Sequence, residues 1–229
     1  MKFDCYIFDL DGTLLDLGNI GFYADQILLE TLTKLEVKKI PSKIERRELW
    51  FSGGEFQRIL KKWGIPESTD FWEYYDKTDF EKRKLLLKNK EISLYKDVKF
   101  VLEQISNHKK RKKIAICTNT ADYIVDYFLN HFEINNYFHE TFSMGNNNQQ
   151  FAKPSPEGIL TILNKLSFNS NKKTVIMIGD SIHDIKAARA ANISSCFVNH
   201  LGENRFERYK NWVLEPDYVI RHLHELLDI

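Results

Sequence analysis

The stretch Phe3-Asp4-Cys5-Tyr6-Ile7-Phe8-Asp9-Leu10-Asp11-Gly12-Thr13 decides how the rest of the chain is read. Phe3 to Phe8 is apolar at nearly every position, as expected of a strand covered on both faces. Such a strand belongs inside a parallel sheet with helices on either side. Its carboxyl end carries two acids, Asp9 and Asp11, and residues i and i+2 leave an extended chain on the same side. Two carboxylates placed together repel, so they call for a cation or a shared proton. A hard divalent cation such as Mg²⁺ meets that need through oxygen ligands. Gly12 permits a sharp turn, and Thr13 offers a hydroxyl and an N–H to an anion. An ordinary Asp-Gly turn would explain the dipeptide alone, but it does not explain a buried strand running into Asp-x-Asp-Gly-Thr.

Further β-rich runs lie at Lys113 to Cys117, Thr174 to Ile178 and Ser195 to Val198, with a last strand at Tyr218 to Ile220 and a helix ending at Leu227. Helical spacing alternates with them: Val98, Val101, Leu102 and Ile105; Ile124, Phe128 and Phe132; Ile159, Leu163 and Leu166; Ile182, Ile185 and Ala188. Strand–helix alternation from residue 97 onward predicts right-handed βαβ units and an α/β fold with a doubly wound, Rossmann-like parallel sheet. From about Asp16 to Tyr95 no buried-strand run occurs. Ile20, Ala24, Ile27, Leu28, Thr31 and Leu35 make one helical face, Ile59, Leu60 and Trp63 a second, and Phe80, Leu85 and Leu86 a third. The predicted organisation is a core of residues 1–14 plus 96–229 and an all-helical insertion over 15–95. Placed after the first strand, the insertion is expected above the carboxyl end of the sheet, where such folds bind ligands.

Composition narrows the function. The chain has 229 residues, 43% hydrophobic and 28% charged, with 33 Lys plus Arg against 32 Asp plus Glu. A net charge of +1 gives no global basic field for nucleic acid or an anionic membrane. No apolar run approaches the roughly 20 residues of a membrane helix, and acids at 4, 9 and 11 stand where a signal peptide needs apolar residues. Cys5, Cys117 and Cys196 each sit in a short apolar run without a CxxC pair, so buried reduced thiols and a cytoplasmic location are expected. The basic run Lys109 to Lys113 reads as a solvated turn at the end of the sheet away from the acids, or as a localisation or nucleic-acid patch. Gly145 to Gln150 (GNNNQQ) reads as a surface loop bordering Lys153.

Three more segments carry chemistry. Val175 to Asp184 (VIMIGDSIHD) again ends a buried strand in Gly and an acid. Asp180 and Asp184 can face one way if a helix begins there, and Asp180 or Ser181 can cap that helix. Ile114 to Asn119 ends in Thr118 and Asn119, a hydroxyl and an amide suited to phosphate oxygens or to a helix N-cap. Lys153-Pro154 puts a lysine before a Pro-initiated helix start, where it can neutralise a phosphate and a nucleophilic carboxylate together.

In this order the four elements (DxDGT, apolar-Thr-Asn, Lys-Pro, apolar-Gly-Asp-Ser-x-x-Asp) resemble the haloacid dehalogenase superfamily, and the match looks closest to its phosphoglycolate phosphatase-like branch. The helical insertion resembles that superfamily's cap between the first and second motifs. The resemblance implies an Mg²⁺-dependent hydrolase of small phosphorylated metabolites. Asp9 would be the nucleophile forming an aspartyl-phosphate, and Asp11 the acid and then the base. Gly12, Thr13, Thr118, Asn119 and Lys153 would bind the phosphoryl group. The Asp9 carboxylate, the Asp11 backbone carbonyl and Asp180 would hold Mg²⁺, with Asp184 orienting Lys153 or metal-bound water and Ser181 beside it. Asp11 favours phosphoryl transfer, because dehalogenating members lack the second acid. A phosphosugar mutase of the same fold, a phospho-acceptor receiver module and a silent binding protein are the rival readings. Tyr23 and Trp50 to Gly54 are candidate substrate contacts, and the cap aromatics fit either a core or a dimer surface, with a monomer or homodimer expected.

Overall fold

The computed structural model describes residues 1–18, 20–67, 69–145, 148–200 and 212–229. The elements begin with β1 (Cys5–Phe8), β2 (Leu15–Asp16), α1 (Ile20–Lys34), α2 (Lys43–Phe51), α3 (Phe56–Lys62), α4 (Phe71–Lys88) and β3 (Ser93–Leu94). They continue with α5 (Val98–Ser106), β4 (Lys113–Ala121), α6 (Asp122–His131), β5 (Glu140–Met144) and α7 (Glu157–Lys165). The chain ends with β6 (Val175–Gly179), α8 (Ile182–Ala191), β7 (Ser194–Val198) and β8 (Tyr218–Ile220). Contacts divide these into two units, Met1–Asp16 with Leu94–Ile229, and Leu17–Ser93.

In the first unit six parallel strands lie in the order β5-β4-β1-β6-β7-β8. All four residues of β1 are buried, which its unbroken apolar run dictates for a central strand. Side chains alternate between the faces. Cys5, Ile7, Ala115, Cys117, Val175 and Met177 pack with Ile159, Ile162 and Leu163 of α7 and Ala187, Ala188 and Ala191 of α8. Tyr6, Phe8, Ile114, Ile116, Ile176 and Ile178 are buried on the opposite face by the same period of two. There α5, with Val98, Val101, Leu102 and Ile105 at helical spacing, covers the sheet. Gly158 lets α7 approach closely: a Cβ there would stand 2.5 Å from the Phe142 ring and 2.9 Å from the Cys117 sulfur. All three cysteines are free and buried.

Several sequence expectations change. β5 was not foreseen, because Glu140-Thr141-Phe142-Ser143-Met144 is an edge strand, half-buried at four positions, and lacks the apolar run of a central one. The final segment is a 3-10 helix over Leu223–Asp228. Lys153-Pro154 does not open a helix; α7 starts at Glu157 with Pro156 as its N-cap. Within the basic run only Lys109, Lys110 and Arg111 are exposed. Lys112 is 3% exposed, its ammonium 2.8 Å from Asp4 beside the start of β1. In the loop Gly145 to Gln150, Asn146 and Asn147 lie outside the described residues.

Among the described residues the second unit has four α-helices around a core of Leu28, Leu32, Leu49, Ile59, Leu60, Ile65 and Phe71. Ser42 and Glu45 form a capping box at the start of α2, a helix the sequence reading missed because its first turns are highly charged. Trp50, Trp63, Trp72 and Tyr75 pack against this core, with the Trp50 and Tyr75 rings 5.5 Å apart. These aromatics are core residues, whereas Phe22, Phe51 and Tyr74 are exposed. Leu85 is also exposed; what α4 buries beyond Phe71 is polar, namely Thr78, Asp79 and Arg83. Arg83 pairs with Asp79 at 2.9 Å, one helical turn apart, and the Tyr23 hydroxyl donates to the same carboxylate. Tyr23 therefore ties α1 to α4. Arg46 forms a bidentate pair with Asp25, both contacts 2.8 Å, and donates to the Pro41 carbonyl.

Candidate active site

The sheet order sets the site. From β1 the chain builds outward through β4 to β5, then returns to the other side of β1 for β6. The switch point, where α/β sheets bind ligands beyond their carboxyl ends, therefore lies at β1. Phe8 stands level with both Ile116 and Ile178. Asp9, Thr118 and Asp180 consequently leave the sheet within two residues of that level.

Lys153 is the hub. It is 5% exposed, and its ammonium lies 2.7 Å from Asp9 Oδ1 and 2.6 Å from Asp184 Oδ1. Burial opposes the charge on Lys153, but Asp184 and Asp9 outweigh it and hold the group well above the usual lysine range. Burial, with Asp184 and Asp11 adding to it, raises the Asp9 carboxyl to about 7 against the opposing pull of Lys153. Asp184 is wholly buried. Its second oxygen accepts from the Ser181 N–H at 3.0 Å and hydroxyl at 2.6 Å, closing a capping box at the start of α8. Gly179 makes room for it: a Cβ would come within 2.1 Å of the Asp184 carboxyl carbon.

Asn119, expected on a phosphate, does something else. Its amide group donates to the Lys153 carbonyl at 2.9 Å and accepts from the Lys153 N–H at 2.7 Å. Both ends of the side chain are thereby spent on fixing the backbone that carries the lysine. The loop after β1 departs from expectation in a similar way. Gly12, at φ 77°, donates its N–H to the Leu15 carbonyl, and the Thr13 N–H points at the Leu10 carbonyl, 3.4 Å away. Both amides close the turn and neither is presented to an anion. Thr13 is wholly buried, and its hydroxyl has no hydrogen-bond partner among the described residues.

Two residues were missed by sequence reasoning. His200, just past β7, sits 3.0 Å from the Thr13 carbonyl through Nε2 and stacks on Tyr95 with ring centroids 3.5 Å apart. Burial lowers its pKa, which favours a neutral ring. Thr120 donates its hydroxyl to Asp11 Oδ2 at 2.7 Å. Its placement comes from a bulge: β4 and β5 are in register at Cys117↔Phe142 and again at Ala121↔Met144, so Thr118, Asn119 and Thr120 bow out of the ladder. The sequence places Thr118 and Asn119 at the strand end, but it carries no signal for the bulge.

Ligand oxygens of Asp9, Asp180 and Asp184 lie within 4.8 Å of one another, a grouping that could hold a metal ion. The donor set is all oxygen, which suits a hard cation. Within this grouping Asp184 contacts Lys153 through one oxygen and Ser181 through the other, and Asp9 contacts the same ammonium.

A protein of Caldanaerobacter subterraneus subsp. tengcongensis bearing the pyrophosphatase name PpaX is 28% identical over 232 residues, covering 100% of this chain and 95% of its own. A phosphoglycolate phosphatase of Vibrio vulnificus is 27% identical over 236 residues, covering 97% and 93%. A solved haloacid dehalogenase-like hydrolase from Streptococcus pneumoniae shares the fold at a TM-score of 0.63 and 19% identity, covering 99% of this chain and 98% of its own. Residues 6–198 match the family model of haloacid dehalogenase-like hydrolases, and the chain belongs to that family.

Proposed function

We propose that this hydrolase is an Mg²⁺-dependent phosphatase that cleaves small-molecule phosphomonoesters through a phosphorylated Asp9. The observation that carries the reading is the contact of a buried lysine with Asp9 at the switch point of the sheet. A carboxylate attacking a phosphate meets like charge, and a fixed ammonium relieves that repulsion at no reorganisation cost. In the first step an Asp9 oxygen bonds to phosphorus as the ester P–O bond breaks. The bond pair goes to the leaving oxygen, which takes a proton from Asp11. In the second step the Asp11 carboxylate takes a proton from water as that water bonds to phosphorus and Asp9 is released. Lys153 and the Thr118 hydroxyl hold the transferring oxygens, Asn119 and Asp184 hold Lys153, and His200 and Gly12 shape the loop that carries Asp11. The Asp9 carboxylate, the Asp11 backbone carbonyl and Asp180 would hold Mg²⁺, which when bound offsets negative charge on the phosphoryl group.

The relatives' names divide between pyrophosphatase and phosphoglycolate phosphatase, so the substrate is assigned only as a small phosphorylated metabolite. The test is phosphate release from a panel including phosphoglycolate, inorganic pyrophosphate, sugar phosphates and nucleoside monophosphates, with Mg²⁺ and with EDTA. Metal-dependent release that is lost in Asp9→Asn is the expected result. Release that survives Asp9→Asn would overturn the covalent route, and a folded protein releasing phosphate from nothing would overturn the phosphatase reading.

A further inference from the structure

We infer that His200 and Tyr95 are positioning residues that clamp the loop after β1 and thereby set how tightly the protein holds its divalent cation. The inference rests on the Asp11 backbone carbonyl being a metal ligand, as in the function proposed above. Inside the loop the amides are spent on the turn. The Leu10 carbonyl accepts from the Leu14 and Leu15 N–H groups at 2.8 and 2.9 Å, and the Gly12 N–H donates to the Leu15 carbonyl at 2.8 Å. Two consecutive carbonyls are held from elsewhere in the fold. The Thr13 carbonyl lies 3.0 Å from His200 Nε2, and the Leu14 carbonyl accepts from the Tyr95 N–H at 3.0 Å. A carbonyl can only accept, so Nε2 carries the hydrogen. The two holds act as one unit, because the His200 and Tyr95 rings stack 3.5 Å apart and within 13° of parallel. One ring comes from the end of β7 and the other from just past β3, so the loop is gripped by two distant parts of the chain.

The backbone ligand is the one this clamp governs. Asp9 and Asp180 reach a cation through side chains, which adjust by rotation about their own bonds. The Asp11 carbonyl has no such freedom and moves only with the loop. Gly12, at φ 77°, turns the chain directly after it, and the clamped Thr13 carbonyl is two peptide units further on. Thr13 and Leu14 are wholly buried. Water therefore does not readily replace a lost partner, and a carbonyl left unmet there favours a shifted loop.

The test measures metal binding without substrate. Mn²⁺, which takes the same oxygen ligands as Mg²⁺, is titrated into metal-free wild type, His200→Ala, His200→Gln, Tyr95→Leu and Tyr95→Phe. The free ion is counted by electron paramagnetic resonance, and folding is checked by circular dichroism and by Tm in EDTA. His200→Ala and Tyr95→Leu are expected to weaken Mn²⁺ binding by about 10-fold, the lower end of what groups that orient metal ligands contribute. His200→Gln keeps an N–H donor and Tyr95→Phe keeps a ring to stack, so both should stay within about threefold of wild type. Wild-type affinity in His200→Ala or Tyr95→Leu, or a Gln variant as weak as Ala, would overturn the clamp and leave the Mg²⁺ reading standing. If His200→Ala does not fold, Tyr95→Leu against Tyr95→Phe carries the same comparison. A folded wild type that binds no Mn²⁺ would overturn both readings.

Discussion

Asp184→Asn is the substitution whose consequence the structure constrains most tightly. The carboxylate is wholly buried, and its partner's side chain is 4% exposed. One oxygen takes the Lys153 ammonium at 2.6 Å; the other takes the Ser181 N–H and hydroxyl. An asparagine has the same shape but only one acceptor oxygen. In one orientation its N–H₂ faces the ammonium, and in the other it faces the Ser181 N–H, so a donor meets a donor either way. Removing one member of a buried ion pair typically costs about 3–5 kcal/mol. Asp9 still faces Lys153, so the lower end, about 3 kcal/mol, is expected. In a protein of this size each kcal/mol moves Tm by about 2–4 °C, so thermal unfolding of the metal-free protein should fall by about 10 °C. Lys153→Met completes a double-mutant cycle, in which the double variant should be more stable than additivity predicts by about 1–3 kcal/mol. A Tm shift under about 2 °C, or an additive cycle, would refute the view that this pair holds the lysine in place.

Other outcomes follow from the same geometry. Gly179→Ala should lower Tm as Asp184→Asn does, because its Cβ would overlap the Asp184 side chain; a wild-type Tm would show that the strand end yields. Asn119→Ala should lower kcat by about 10-fold or more with little change in Tm, since misplacing a positioned group is costly to rate; an effect confined to KM would return Asn119 to direct phosphate binding. The pH dependence of metal-free stability has a definite sign. Asp9 is raised from 3.8 to about 7, so the native state binds a proton that the unfolded chain has released, and stability declines as pH rises from about 4 through 7. Asp9→Asn should flatten that decline in Tm measured with EDTA, and parallel profiles for the two proteins would contradict it. In the helical unit Arg46 lowers the Asp25 pKa by hydrogen bonding. That contribution is present above the ordinary carboxylate range and lost as pH falls through the folded value. Arg46→Lys, which cannot reproduce the bidentate pair, should lower stability at neutral pH by about 1 kcal/mol and weaken the acid sensitivity; an unchanged urea midpoint would argue that the pair is idle.

The strands that bear the site were legible in the sequence because burial on both faces leaves an unbroken apolar run. Phe3 to Phe8, Lys113 to Cys117 and Thr174 to Ile178 announce themselves in that way, and the acids that follow them need no tertiary context to stand out. The edge strand β5 was not legible, since a strand paired on one side tolerates Glu140, Thr141 and Ser143. Nor was α2, whose charged first turns hide a helix that one buried leucine, Leu49, anchors. The polar side of α4 reads as surface in the sequence, yet Asp79 and Arg83 are buried because each satisfies the other.

By itself the sequence determined the parallel α/β class, the chemical types at each strand end and the pairing of acids with a lysine, because these depend on residue identity and on the period of local structure. Only the tertiary structure decided which group each side chain serves. Asn119 turns to the Lys153 backbone, the amides of Gly12 and Thr13 turn inward, and Thr120 and His200 join the site from a bulge and a distant strand end. Those assignments depend on register and on backbone departures of a residue or two, and hydrogen bonds of under 3 Å are made or lost over smaller distances than any sequence pattern can specify.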